Sequence, residues 1–274
     1  MHATRKLWTW LAAICVLSFA VLGWVGTDIY VKAPPIPQQV VSAKGEVLFS
    51  GEQIQHGQEA WLSAGGQQLG SVWGHGSYLA PDWSADWLHR EALALREIWA
   101  QRDYGKSFER LDIGQQAQLN GLLKAEMRNN THDAKNGTLT LSKERAAAVQ
   151  QLVQHYTGLF GDDKSQDALR EQYAMIGGSL KQPADQQALA AFFFWSAWAA
   201  TTDRPGESDL SYTSNWPHEP LVGNTPTAST GIWSIASVIL LIAAIAGMIF
   251  YNSTVREEAD PVPPKDDPLF SLKP

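Results

Sequence analysis

The sequence predicts a mainly α-helical protein in which two membrane-spanning helices flank one exported helical domain. Two apolar runs, Leu7–Gly26 and Gly231–Tyr251, are each about 20 residues, the length that crosses a ~30 Å hydrocarbon core. Between them, apolar residues recur at helical spacing behind polar capping residues. Strand signals are sparse, the clearest being Thr138-Leu-Thr-Leu141. With 274 residues, 45% of them hydrophobic and 18% charged, the chain holds enough apolar material for a sizeable core besides the spans. A net charge of −7 leaves no basic surface for a phosphate backbone, so nucleic acid is not an expected partner. Cys15, the one cysteine, lies within the first apolar run, which rules out an internal disulfide and any cysteine-ligated zinc or iron–sulfur site.

Taken in order, the first run follows Arg5 and Lys6, a basic start that an anchor shares with a cleaved signal peptide. Its length, and the lack of a small-x-small cleavage site before Thr27-Asp-Ile-Tyr30, favour an uncleaved anchor over residues 1–31. The basic flank puts the N-terminus in the cytoplasm, and a second span returns the C-terminus there, so residues 32–230 are exported. Pro34-Pro-Ile-Pro37 gives that region an extended start. Ser84 is placed to cap a helix running to about Ala100, and a second helix covers Ile113–Met127. Ser142 is placed to cap a third, whose Val149, Leu152, Val153, Tyr156 and Phe160 form one stripe. Gln182–Thr201 also reads as helix. Its Leu189–Ala200 portion, with Phe192-Phe-Phe-Trp195, is too short to cross a bilayer and is expected to be buried. The second span, 231–251, is uncharged and opens near Trp233, and the tail 252–274 contains the extended connector Asp260-Pro-Val-Pro-Pro264.

The densest unusual segment is Gly57–Trp83, which mixes glycines with tryptophans. Gly74 and Gly76 on either side of His75 suggest a tight turn or a close approach, and two readings stand: a functional loop, or a packed omega-type loop. His75 and His89 are candidate metal or haem ligands, but they lie 14 positions apart and match no histidine ligand pattern. Asp82, Asp86, His89 and Glu91 offer acid/base groups, of which only Asp86 and His89 share a helix face; surface or capping roles are the alternative. No nucleophile elbow, phosphate loop or dinucleotide fingerprint occurs. Neither span carries an ionisable residue at its centre, so both read as anchors or scaffold.

Three stretches carry a family resemblance: Leu69–Glu91, with its Trp73-Gly-His-Gly-Ser-Tyr-Leu-Ala-Pro-Asp-Trp83, then Phe194-Trp-Ser-Ala-Trp-Ala-Ala-Thr-Thr-Asp-Arg-Pro205, and Ser211-Tyr-Thr-Ser-Asn-Trp-Pro-His-Glu219. In order along the chain they resemble the N-terminal part of the quinol-dependent nitric oxide reductases, the single-subunit type of the haem-copper oxidase superfamily. The resemblance implies a haem-less cytochrome-c-like periplasmic domain over 32–230 in the bacterial inner membrane. It also implies a cytoplasmic linker, 252–274, leading toward a catalytic core beyond this sequence. Related small subunits pair Cys-x-x-Cys-His with Gly-x-Gly-x-Tyr-x-Ala-Pro. Gly74–Pro81 matches the second motif, whereas Gly66-Gln-Gln-Leu-Gly70 stands where the first would lie, so thioether attachment of haem is impossible.

The implied reaction reduces two nitric oxide molecules to nitrous oxide and water, with electrons from quinol, at haem b3 paired with non-haem iron and fed through haem b. The ligands of those groups belong to haem-bearing helices downstream on the same polypeptide, so this chain alone is expected to bind no cofactor and to have the lipid bilayer and those helices as partners. For calcium, the resemblance points to the Gly76 carbonyl and to Tyr78, with the remaining oxygens of a six- to eight-fold shell supplied from elsewhere. The bland alternative is that Tyr78 only packs in the loop. The two-span layout also fits an anchored periplasmic sensor or binding module, although a tail of about 23 residues is too short for a signalling domain.

Overall fold

The computed structural model describes residues 2–77 and 80–256, so Tyr78, Leu79 and the proline-rich connector of the tail lie outside the described residues. The chain divides into two compact units, Met1–Pro226 and Thr227–Pro274.

The first unit opens with α1 (His2–Val31), which contains an apolar stretch, Trp8–Val31, of mean hydropathy 2.0 and none of it buried. The helix continues past Gly26 through Thr27-Asp-Ile-Tyr30, and an Asp28–Lys32 ion pair of 3.0 Å closes its end.

After it, β1 (Gln39–Ser42) and β2 (Val47–Ser50) form a hairpin that leads into α2 (Gly51–Ser63). A small hairpin, β3 (Ser71–Val72) and β4 (His75–Gly76), precedes α3 (Trp83–Tyr104). Then follow α4 (Ile113–Arg128), β5 (His132–Asp133), β6 (Thr138–Leu141), α5 (Lys143–Phe160), α6 (Asp167–Gln172) and α7 (Pro183–Thr201). The four-stranded sheet has the order β2-β1-β6-β5, with β1 antiparallel to β2 and parallel to β6. The strand expected at 138–141 is therefore one of several; β3, β4 and β5, of two residues each, are too short for a sequence pattern to reveal, and β1 and β2, as long as β6, lack its apolar–polar alternation.

The second unit contains α8 (Ala228–Arg256), with Gly231–Thr254 at mean hydropathy 2.5 and equally uncovered. A water-soluble protein covers helices as apolar as α1 and α8; lipid is the solvent that does not require it. Both are long and apolar enough to span a membrane.

Local chemistry fixes the helix starts. Ser50 and Gln53 make a reciprocal capping box on α2, as Asp112 and Gln115 do on α4, and Ser142 caps α5. The cap of α3 is Asp82 rather than Ser84: the Asp82 side chain accepts from the Ala85 N–H. Glycine-bearing Gly57–Ser63, expected to begin a loop, is the second half of α2. Gly57 lies there because a Cβ would fall 1.9 Å from the Ala188 carbonyl oxygen of α7.

α7 is the central helix, packed against α2, α3 and α5. From Ala188 to Thr201 every residue is buried except half-buried Trp195, as expected for the aromatic run. Burying one large apolar side chain contributes about 1.5–3 kcal/mol, and the rings Trp83, Trp87, Tyr156, Phe160, Phe193, Phe194 and Trp198, all fully buried, are among the largest side chains in that core.

Candidate functional site

The segment between α2 and α3 is built around one carboxylate. Asp82 Oδ2 accepts from Ser71 Oγ at 2.8 Å and from the Gly74 N–H at 2.6 Å. Its Oδ1 accepts from the Ala85 N–H at 3.0 Å and from Ser84 Oγ, and Ser84 Oγ in turn accepts from the Trp73 N–H at 3.0 Å. The Ser77 N–H donates to the Gln67 carbonyl at 2.7 Å, tying the Gly66–Gln68 turn to the Gly74–Pro81 stretch. Asp82 is thus the organiser of the loop and has no role left as a free acid or base.

The loop is pressed against its surroundings. Gly74 has φ +78° and a Cβ there would sit 2.3 Å from Trp216 Nε1; Gly76 has φ +144° and a Cβ would sit 2.3 Å from the Gly70 carbonyl oxygen. Only glycine tolerates both the backbone angle and the contact. Trp73 donates through Nε1 to the Ser196 carbonyl at 2.8 Å and packs on Trp195 with centroids 5.3 Å apart. Trp195 in turn donates to the Pro35 carbonyl at 2.9 Å, which joins loop, central helix and the proline-rich start of the domain. Of the two readings of the loop, the tight packing of the second is realised among the described residues.

The other candidates go to separate partners. Asp86 accepts from Tyr156 Oη at 2.7 Å, Arg90 Nε at 2.9 Å and Tyr173 Oη at 3.0 Å. Burial, and then the adjacent Asp86 charge, push the Tyr156 hydroxyl well above its ordinary pKa, with Tyr173 raised for the same reasons. His89 Nδ1 lies 2.8 Å from Glu219 Oε2. Glu91 is fully buried, ion-paired with Arg145 at 2.7 Å and accepting from Trp87 Nε1 at 2.9 Å. His75 is exposed on β4. Asp86 and His89, expected to share a face, are therefore engaged by different neighbours, and no acid/base pair forms.

What the sequence did not reveal is the ring cluster behind the loop. Trp83 stacks on Phe193 (5.3 Å, 8°) and Trp87 on Tyr156 (4.9 Å, 12°), with Phe160 and Tyr173 edge-on to Trp83. Their spacing in sequence gives no hint of it, because the rings come from α3, α5, α7 and the segment after α6.

A covalently bound haem does not fit these residues. Cys15, in α1, is the only thiol, no histidine follows a cysteine pair, and stacked rings fill the domain interior. For calcium, the described residues supply no carboxylate beside the loop that is not already engaged. Gly76 offers a carbonyl and Tyr78 lies outside the described residues, while Asp82, the loop's carboxylate, is saturated by its four donors. Among the described residues no three His, Cys, Asp or Glu side chains gather as a metal cluster.

Compared with known proteins, residues 37–218 match the family model for the cytochrome c-like domain of the nitric oxide reductase NorB. The match runs from the proline-rich start through the sheet, the loop and α2–α7 into the segment after α7. No curated protein matches the chain.

Proposed function

The chain belongs to the family of the NorB cytochrome c-like domain of nitric oxide reductase, and from that premise we propose that it is the haem-less periplasmic cover of a quinol-dependent nitric oxide reductase. One observation carries the quinol assignment: the interior behind the loop is closed by stacked rings, and the chain has no thiol pair. A domain built this way has no haem relay from a soluble cytochrome, so electrons enter the enzyme within the membrane.

In the complete enzyme the overall chemistry is 2 NO + 2 e⁻ + 2 H⁺ → N₂O + H₂O, with haem b, haem b3 and non-haem iron on downstream helices supplying the redox centres. This chain's own residues bind no reactant. The Asp82-centred loop and the rings beneath it form a rigid lid, which keeps water from the region it covers and fixes the groups at its rim. At that rim the Gly76 carbonyl and Tyr78 contribute to a calcium site completed by oxygens from the core. Arg5 and Lys6 orient α1 with its start in the cytoplasm, so that the domain is periplasmic and both termini cytoplasmic.

Membranes carrying this chain joined to the haem-bearing helices should consume nitric oxide with a quinol as donor, and this chain alone should consume none. Turnover driven by reduced cytochrome c at or above the quinol rate would overturn the donor assignment. In the same enzyme Tyr78→Phe should lower calcium content and loosen haem while the domain stays folded; unchanged calcium stoichiometry and haem spectra would remove Gly76 and Tyr78 as its ligands.

A further inference from the structure

A cleft of about 650 Å³ opens where the last turn of α1 meets the domain, lined by Asp28, Ile29 and Lys32 on one side and by Trp73, Arg204, Tyr212 and Ser214 on the other. Its position is set by α1: the apolar stretch ends at Val31, so the cleft lies at the level where a spanning helix leaves the hydrocarbon. Its chemistry is mixed in the way that level demands. Trp73 and Tyr212 are half-buried rings with polar edges, the residue types that favour the headgroup region.

Arg204 is the unusual member. Its Nε donates to the Ser211 carbonyl at 2.7 Å, and its Nη2 to the Tyr212 carbonyl at 3.3 Å and to Ser214 Oγ at 3.0 Å. These bonds hold the guanidinium rigid, yet every acceptor is neutral. The acid next to it in sequence, Asp203, is taken by Arg128. Among the described residues Arg204 therefore keeps an uncompensated positive charge in the cleft. Lys32 adds a second, only partly neutralised by Asp28 at 3.0 Å because both side chains are about half exposed. Two cations against one carboxylate leave the cleft with net positive charge.

We propose that this cleft binds the phosphodiester headgroup of one anionic phospholipid, with Arg204 and Lys32 meeting the phosphate and the acyl chains running along the uncovered apolar surface of α1. With Nε and both Nη2 donors engaged, Arg204 keeps the two N–H groups of Nη1 in a fixed plane, free to donate to a phosphate oxygen. Ser214, accepting from Arg204, still has its own hydroxyl proton to donate. Lipid binding here depends on α1 being a membrane span and not on the nitric oxide reductase reading.

The test is native mass spectrometry of the full chain in neutral detergent, titrated separately with phosphatidylglycerol, phosphatidylcholine and inorganic phosphate. One phosphatidylglycerol per chain should be retained, about tenfold more tightly than phosphatidylcholine, which offers the same phosphate but brings its choline cation against the net positive cleft. Arg204→Gln should abolish that preference and Arg204→Lys restore part of it. Because Arg204 also braces its own segment, Lys32→Gln, at an exposed position, provides the second reading and should weaken phosphatidylglycerol about threefold with the domain's near-ultraviolet circular dichroism unchanged. Equal binding of the two lipids, or a preference untouched by Lys32→Gln, would overturn the site. Stoichiometric inorganic phosphate that displaces the lipid would identify a free-anion site and overturn the lipid assignment. Alkaline extraction of membranes reads the span separately, so loss of the anchor and loss of lipid selectivity are distinguishable.

Discussion

Replacing Asp82 by alanine removes the acceptor of four donors at once, two of them backbone N–H groups, and uncaps α3. The domain should lose about 2 kcal/mol or more in urea unfolding followed by tryptophan fluorescence; a loss below about 0.5 kcal/mol would mean that the loop is held by its packing alone. Glu91→Gln breaks a fully buried ion pair and should cost about 3–5 kcal/mol, because the Arg145 guanidinium would be left in the interior without its charge partner. Acidification gives a third residue-level test. His155 is held below its ordinary pKa of 6.5 first by burial and then by the Arg90 charge, and His132 is lowered by burial. For such groups the stability is present above 6.5 and is lost as pH falls through that value, since the unfolded chain then binds more protons. His56 acts in the opposite sense: its hydrogen bond to Asp185 raises it, a contribution present below 6.5 and lost at higher pH, but it is half exposed and screened. The melting temperature should therefore fall from pH 7.5 to pH 5.5, less steeply in His155→Gln; a rise on acidification would show that His56 dominates. Among single residues, the sequence marked Asp82, Asp86, His89 and Glu91 as notable but not what they do. Their partners lie up to 130 positions away, and spacing carries no information about Arg145, Tyr156 or Glu219.

Helices were legible where a polar cap and an apolar stripe coincided, as for α5 behind Ser142, and where an apolar run was too short to span a membrane, as for the buried α7. α2 was hidden because the residue closest to α7 is a glycine, so its buried face, Ile54, Gly57, Ala60 and Trp61, lacks a continuous large-residue stripe. The signal that could have found it is the capping box Ser50-x-x-Gln53. Gly57 also yields the sharpest prediction about helix packing. Its missing Cβ would meet Ala188 O at 1.9 Å and Phe192 Cβ at 2.7 Å, backbone and near-backbone atoms that a rotamer change cannot move. Gly57→Ala should force α2 from α7 and destabilise the domain by about 1–3 kcal/mol in spite of alanine's better helix propensity. Gly121→Ala, in α4 where a Cβ meets nothing within 4 Å, is the control and should be neutral or stabilising. Equal effects at the two positions would contradict the packing described for α2 and α7.

Across the whole molecule, the two apolar helices and the predominance of helix could be read from composition and periodicity, because a membrane span is a long signal. The interior could not: its rings meet from four segments far apart in sequence, and only the folded chain brings Trp83 onto Phe193 and Trp87 onto Tyr156. In the proposed topology, protease added from the periplasmic side should cut between residues 32 and 230 and spare the ends; cleavage of the tail with protection of that region would reverse the orientation. The domain belongs to the NorB cytochrome c-like family, and stacked rings lie behind its carboxylate-centred loop. The proposal that it is haem-less is open to a single decisive reading, the pyridine haemochrome spectrum of the purified chain after export from cells that carry c-type cytochrome maturation and abundant haem. A folded domain with no stoichiometric haem is expected; one haem per chain, covalent or not, would contradict the closed interior described here.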